Sequence, residues 1–265
     1  MIADDLFAGA GGWDVAGRWL GIEARGVENM AAARETRDAA GLTTIHDDVW
    51  TFKPDGLAEG LIASPPCQTF SLAGKGSGRK ALDDVMLAID TKVWKYLSLL
   101  KSFGEELGDD RTALVLTPLH FATQYDYRWL AWEQVPTVLP VWEACAEVLR
   151  EHGYSVWTGN LQAEQYGVPQ TRKRAFLLAS KDREAAPPVP THSKYYPRTP
   201  DKLDPDVKPW VSMAEALGWG LVPRPSYTYC GVSAHAVGDV EWGGASVRKA
   251  LADAKASADP SRWRA

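Results

Sequence analysis

The sequence predicts an α/β fold built on a doubly wound, mostly parallel sheet. Three observations carry that expectation. Short apolar runs alternate with stretches of helical apolar spacing through residues 1–180, the pattern of β-α-β units. The first apolar run breaks into Ala8-Gly9-Ala10-Gly11-Gly12 directly before a helix-like stretch. The second and third runs end on acidic residues, Glu28 and the pair Asp47-Asp48, at the carboxyl edge where open α/β sheets bind ligands.

In chain order, residues 2–7 read as a strand, 13–20 as a helix, 22–27 as a strand, 31–40 as a helix, 43–46 as a strand and 60–63 as a strand. A Gly/Ser-rich stretch follows, and residues 74–80 read as a mobile lid. Residues 83–103 carry helical apolar spacing, while 113–118 and 128–133 read as buried strands because each is a short apolar run. A helix over 138–151 is closed by His152-Gly153. Residues 154–161 and 175–179 are two further strands, with 166–174 between them. From Ala185 onward the texture changes, since Pro187, Pro188, Pro190, Pro197, Pro200, Pro205 and Pro209 crowd a short span. The expected division is a catalytic and cofactor-binding domain over 1–184 and a small irregular region over 185–265, with one helix over 245–256.

With 265 residues and 45% apolar side chains, the chain can bury a substantial core. No run of 18 or more apolar residues occurs and the start carries no basic region, so the expectation is a soluble, cytoplasmic protein without a membrane partner. The three cysteines, Cys67, Cys145 and Cys230, lie far apart and do not pair with the five histidines at zinc-ligand spacing, which supports neither a disulfide framework nor a structural metal. The net charge of −5 argues against a protein that coats nucleic acid without discrimination, although a local basic face such as Gln170-Thr171-Arg172-Lys173-Arg174 can coexist with an acidic total.

Glycines at a strand-to-helix turn let a ligand approach the backbone and meet helix N-terminal N–H groups, but they also serve tight packing. Glu28 sharpens the first reading, because it follows Gly9 by 19 residues, the spacing at which a carboxylate takes ribose hydroxyls. Together with Asp48 this suits a nucleoside-containing cofactor. No Gly-x-x-x-x-Gly-Lys-Ser/Thr occurs, so a P-loop ATP site is not supported. Cys67 follows Ser64-Pro65-Pro66 just beyond the fourth strand, where two prolines stiffen the loop. A packed turn cysteine and an aimed nucleophile both fit. A free thiol with pKa about 8.5 is only a few per cent thiolate at neutral pH and needs nearby positive charge, which Arg172 and Arg174 can supply.

These residues carry a resemblance. Asp5-Leu-Phe-Ala-Gly-Ala-Gly-Gly12, Val27-Glu28-Asn29-Met30, Asp48-Val49, Pro65-Pro66-Cys67-Gln68-Thr69-Phe70-Ser71 and Tyr166-Gly-Val-Pro-Gln170-Thr-Arg172-Lys-Arg174 resemble, in order, the motifs of the C5-cytosine methyltransferases. That family transfers a methyl group from S-adenosylmethionine to cytosine in DNA or, in one branch, tRNA. The resemblance implies a Rossmann-like S-adenosylmethionine-dependent methyltransferase fold. It places Phe7, Gly9, Gly11, Gly12, Asn29, Val49 and Pro65 around the cofactor, Glu28 on its ribose and Asp48 on its adenine. It makes Cys67 the nucleophile on cytosine C6, Glu133 the partner of N3 and the exocyclic amine, Arg174 the holder of O2, and Arg172 a backbone or loop contact. Glu133-Gln134-Val135 carries glutamine where the family has asparagine, which predicts poorer ordering of the active-site loop. The family's later Gln-Gly-Phe-Pro and Gly-Asn-Ala-Val segments do not occur in these residues, so the chain reads as a truncated, split or degenerate member, a second chain being one source of those segments, and residues 185–265 correspond to a reduced or truncated target-recognition region on double-stranded DNA. A cofactor-fold protein that binds nucleic acid or a partner without catalysis is the alternative.

Overall fold

The computed structural model describes residues 1–66, 77–217 and 226–227. Its centre is a seven-stranded sheet: β1 (Ile2–Leu6), β2 (Glu23–Val27), β3 (Thr43–His46), β4 (Gly60–Ala63), β5 (Trp129–Gln134), β6 (Ser155–Gln162) and β8 (Lys173–Ser180), a two-residue strand β7 (Gln170–Thr171) lying outside it. The strands run in the order β3-β2-β1-β4-β5-β8-β6. β1 pairs parallel with β2 and with β4, β2 with β3, and β4 with β5, while β8 runs antiparallel to β5. The chain therefore winds outward from β1 to β3 and then returns to lay β4 on the other side of β1. The crevice at the carboxyl ends of β1 and β4 is the topological switch point, where such folds bind ligands.

Helices α1 (Gly12–Trp19) and α2 (Ala31–Ala39) link the first three strands. The large core lies on one face, where Leu6, Leu61, Leu130 and Trp132 meet Val85, Leu100, Leu119, Phe121, Trp142 and Leu149 from the helices. On the opposite face Ala3, Ala24, Ile62 and Ala131 form a smaller cluster, with Trp13 and Leu178 packed against it.

The segment between β4 and β5 differs most from the expected elements. The single helical stretch expected over 83–103 is two helices, α3 (Ser77–Asp90) and α4 (Leu97–Leu107), broken at Lys92 with φ 58° and a 3₁₀ turn over Val93–Lys95 that buries Trp94. Residues 77–80, expected in a lid, belong to α3; 74–76 lie outside the described residues. The expected strand over 113–118 is helical at both ends, in α5 (Asp110–Leu114) and α6 (Thr117–Gln124). Its apolar residues are mostly buried, Ala113, Val115 and Leu116 each at 0% exposure and Leu114 partly, so their run has no clear period that separates strand from helix. The local signals are the Asp109 carboxylate, which accepts the Arg111 N–H, and Pro118 in the first turn of α6. Helix α7 (Leu139–Glu151) follows β5.

The chain separates into two compact units, residues 1–161 with 173–188 and residues 162–172 with 189–265. In the second, β7 pairs parallel with β9 (Ser226–Tyr227). There Asp204 accepts the Tyr196 hydroxyl at 2.6 Å and the Lys194 N–H at 2.8 Å, and Tyr195 meets Trp210 edge-on at 5.0 Å. A short helix, α8 (Met213–Leu217), also lies in this unit. Among the described residues no helix is long and apolar enough to cross a membrane.

Candidate active site

The turn after β1 is built around left-handed backbone. Gly9 has φ 54° and Gly11 φ 101°, and Phe7, although not glycine, sits at φ 62°. A bulky residue there costs on the order of 1 kcal/mol and persists only when its surroundings hold it; the N–H groups of Phe7 and Ala8 both donate to the Val27 carbonyl, at 2.9 and 3.3 Å. A Cβ added to Gly11 would lie 2.1 Å from Leu42 Cδ1, so this glycine is required both by conformation and by the approach of the loop before β3. A Cβ at Gly9 or Gly12 would meet nothing within 4 Å, which leaves open space over the turn.

Glu28 stands at the end of β2, 8% exposed. Its Oε2 accepts the Gly9 N–H at 2.7 Å and its Oε1 the Met30 N–H at 2.8 Å, so the carboxylate is oriented by the turn it faces. Arg34 donates to the carbonyls of Glu28 and Asn29. Beyond β3, Asp48 Oδ1 accepts the Trp50 N–H at 3.0 Å and fixes the loop that carries Val49, which is buried. Two carboxylates at neighbouring strand ends, with open space over a glycine turn, fit the ribose and adenine of a nucleoside cofactor.

Beneath the turn lies a buried ionic cluster that sequence spacing did not point to. Arg37 forks onto Asp14 at 2.9 and 2.7 Å, donates to Thr43 O and Thr44 Oγ1, and is fully buried. Asp5, on β1, is also fully buried, and among the described residues neither of its oxygens has a hydrogen-bond donor. Burial first and the Asp14 charge second push its pKa well above the usual carboxylate range, against the opposing pull of Arg37. Asp5 is thus biased toward its neutral form beside the Asp14–Arg37 pair.

On the other side of the switch point β4 runs into Ser64-Pro65-Pro66; Cys67 and residues 68–71 lie outside the described residues. Three contacts hold the loop that precedes Cys67. Ser64 N–H donates to the Leu6 carbonyl at 3.1 Å, Trp13 Nε1–H donates to Ser64 Oγ at 2.9 Å, and the Gln134 amide donates to the Pro65 carbonyl at 2.7 Å. Gln134 is buried, and its other end accepts the Val135 N–H. The extra methylene relative to asparagine therefore spans the distance to the loop rather than leaving it untied.

Glu133 and Arg174 meet on the face that carries Ala131. Glu133 lies opposite Phe176 in the β5–β8 register, and Arg174 is two residues along β8 on the same face. Arg174 Nε bonds Glu133 Oε1 at 2.9 Å, both side chains being about 17–18% exposed. Arg174 Nη1 also donates to the Lys173 carbonyl. Arg172 belongs to the second unit, where its N–H donates to Gln170 O and its carbonyl accepts the Ala163 N–H.

A model of the C-5 cytosine-specific DNA methylases matches residues 1–93 and 119–216. The type II methyltransferase M.DdeI of Desulfomicrobium norvegicum is 26% identical over 67% of this chain and 40% of its own length. M.AquIA of a Picosynechococcus strain is 24% identical over 80% of this chain and 86% of its own length. A solved structure described as a DNA modification methyltransferase encoded within a prophage (E. coli) superposes with a TM-score of 0.54 at 18% identity, over 82% of this chain and 54% of that one. The chain spans about half the length of the first curated relatives it matches, 52% and 40%. With a family model covering most of its length and a doubly wound sheet, this chain belongs to the C-5 cytosine-specific DNA methylase family.

Proposed function

We propose that the protein methylates C5 of cytosine in double-stranded DNA, with Cys67 as nucleophile. The observation that supports this most strongly is the Glu133–Arg174 pair at 2.9 Å, at the end of a strand whose neighbour leads into Cys67. S-adenosylmethionine, the cofactor of the family, supplies an electrophilic methyl group on a sulfonium centre. Glu28 and Asp48 hold the nucleoside end, and the turn from Phe7 to Gly12, with Asn29, Val49 and Pro65, forms the surrounding wall.

Addition of the Cys67 thiolate to C6 breaks the C5–C6 double bond and places the electron pair on C5, which takes the methyl group. Loss of the C5 proton and expulsion of the thiolate restore the ring. Glu133 stabilises the charge that develops at N3 and the amine, and Arg174 anchors both Glu133 and the base's O2. Arg172 contacts the nucleic-acid backbone or steadies its own loop. The base must leave the stack, at a cost of a few kcal/mol. Residues 185–265 act as a reduced target-recognition region.

Incubation with labelled S-adenosylmethionine and either mixed-sequence DNA or tRNA, with Cys67→Ala alongside, tests the reading. Label should enter DNA and vanish in the variant. Label in tRNA alone would reassign the substrate. Cofactor binding without transfer to either, with or without a supplied closing segment, would leave a cofactor-fold binding protein.

A further inference from the structure

Trp13 connects three parts of the molecule that the chemistry needs in register. It is the second residue of α1, directly after the Gly11-Gly12 turn. Its indole N–H reaches across 51 residues of sequence to Ser64 Oγ at 2.9 Å. Its ring stands edge-on to Phe176, with centroids 6.4 Å apart, and Phe176 lies opposite Glu133 in the sheet. Ser64 in turn is tied through its N–H to the last residue of β1, Leu6.

Only Pro65 and Pro66 separate Ser64 from Cys67. Each proline fixes its own φ, so a shift at Ser64 is carried along the segment instead of being absorbed by soft dihedrals. The Gln134 bond to the Pro65 carbonyl, 2.7 Å, fixes one side of this lever against β5, and the Trp13–Ser64 bond is its side-chain link to the start of α1, beside the backbone bond from Ser64 to Leu6. The Gly9 N–H that Glu28 holds, at 2.7 Å, belongs to the same turn. A ligand that competes for Glu28 or occupies the space over Gly9 and Gly12 acts directly on the start of α1.

We infer that Trp13 is a positioning residue that couples occupancy of the glycine turn to the placement of the Cys67 loop, through its hydrogen bond to Ser64. The inference rests on the reading of the turn as the cofactor site and of Cys67 as the nucleophile. It assigns Ser64 a role that a packed turn residue does not have: its hydroxyl is the receiving end of the link.

The test reads the thiol rather than turnover. Alkylation of Cys67 by iodoacetamide, followed by peptide mass spectrometry, is timed with and without saturating S-adenosylhomocysteine, whose binding is measured separately by calorimetry. In the wild type the ligand should change the Cys67 rate by at least about threefold, the scale of one net hydrogen bond. Trp13→Phe keeps the ring against Phe176 and removes only the donor, Ser64→Ala removes the acceptor, and the double variant removes both. All three should bind the ligand yet show a ratio near one, the double no further changed than either single, and Ser64→Thr should restore the wild-type ratio. Ligand binding with an undiminished ratio in Trp13→Phe and Ser64→Ala would overturn the coupling alone. No ligand binding to the wild type would overturn the cofactor reading and the coupling with it. A Cys67 that stays unmodified in every form would also overturn it, because a nucleophile that must reach a base has to be open to a small reagent.

Discussion

Asp5 and Glu133 are two acids at the same sheet edge held for different ends. Glu133 is partly exposed and paired with Arg174, which leaves its carboxyl group within reach of a base. Glu133→Gln keeps the shape and should lower methyl transfer by about 10²–10³-fold while leaving S-adenosylhomocysteine binding unchanged; radiolabel transfer and calorimetry on the same samples check it. Asp5 is enclosed, and burial raises its pKa in the folded protein above the ordinary 3.8. The folded state therefore binds a proton more tightly than the unfolded chain does. The resulting stabilisation is full below the unfolded value and is lost as pH rises through the folded one. Asp14, Arg37 and Glu28 are the charged groups that act on it. Asp5→Asn cannot titrate, so its melting temperature relative to the wild type should climb as pH rises from the unfolded value through the raised folded one. A difference that stays constant across that window would show that Asp5 does not titrate there.

At the scale of elements, the β1–α1 turn is where sequence and geometry agree most closely. Its glycines are readable as glycines, but the reason for Gly11 is not local: a side chain there would strike Leu42, 31 positions away. Gly11→Ala combines a left-handed φ with that collision. It should destabilise the protein by about 1–3 kcal/mol and weaken S-adenosylhomocysteine binding, both visible in thermal melts run with and without the ligand. The strands were legible because their apolar runs are short, bounded by turn residues and alternate with helical spacing. The region between β4 and β5 was not. There the run Ala113 to Pro118 is almost wholly buried across the α5–α6 junction, so it lost the period that marks a helix, and only Asp109 and Pro118 punctuated it.

Over the whole molecule, the two units draw on the chain unequally. The first unit carries the sheet and nearly all of the motif residues, while the second takes residues 162–172 out of the middle of the sequence and joins them to the segment after 188. The motif that ends in Arg174 therefore starts in one unit and ends in the other, which no reading of spacing could anticipate. The amino-acid sequence by itself determined the order of strands and helices outside the segment between β4 and β5, the glycine turn, the acids at the strand ends and the family, because each is written in neighbouring residues and their periods. Tertiary structure alone decided that Trp13 donates to Ser64, that Gln134 spans to Pro65, that Arg37 neutralises Asp14 and that Glu133 faces Arg174. Those contacts join residues 23 to 69 positions apart, and only the winding of the sheet brings them within hydrogen-bond reach.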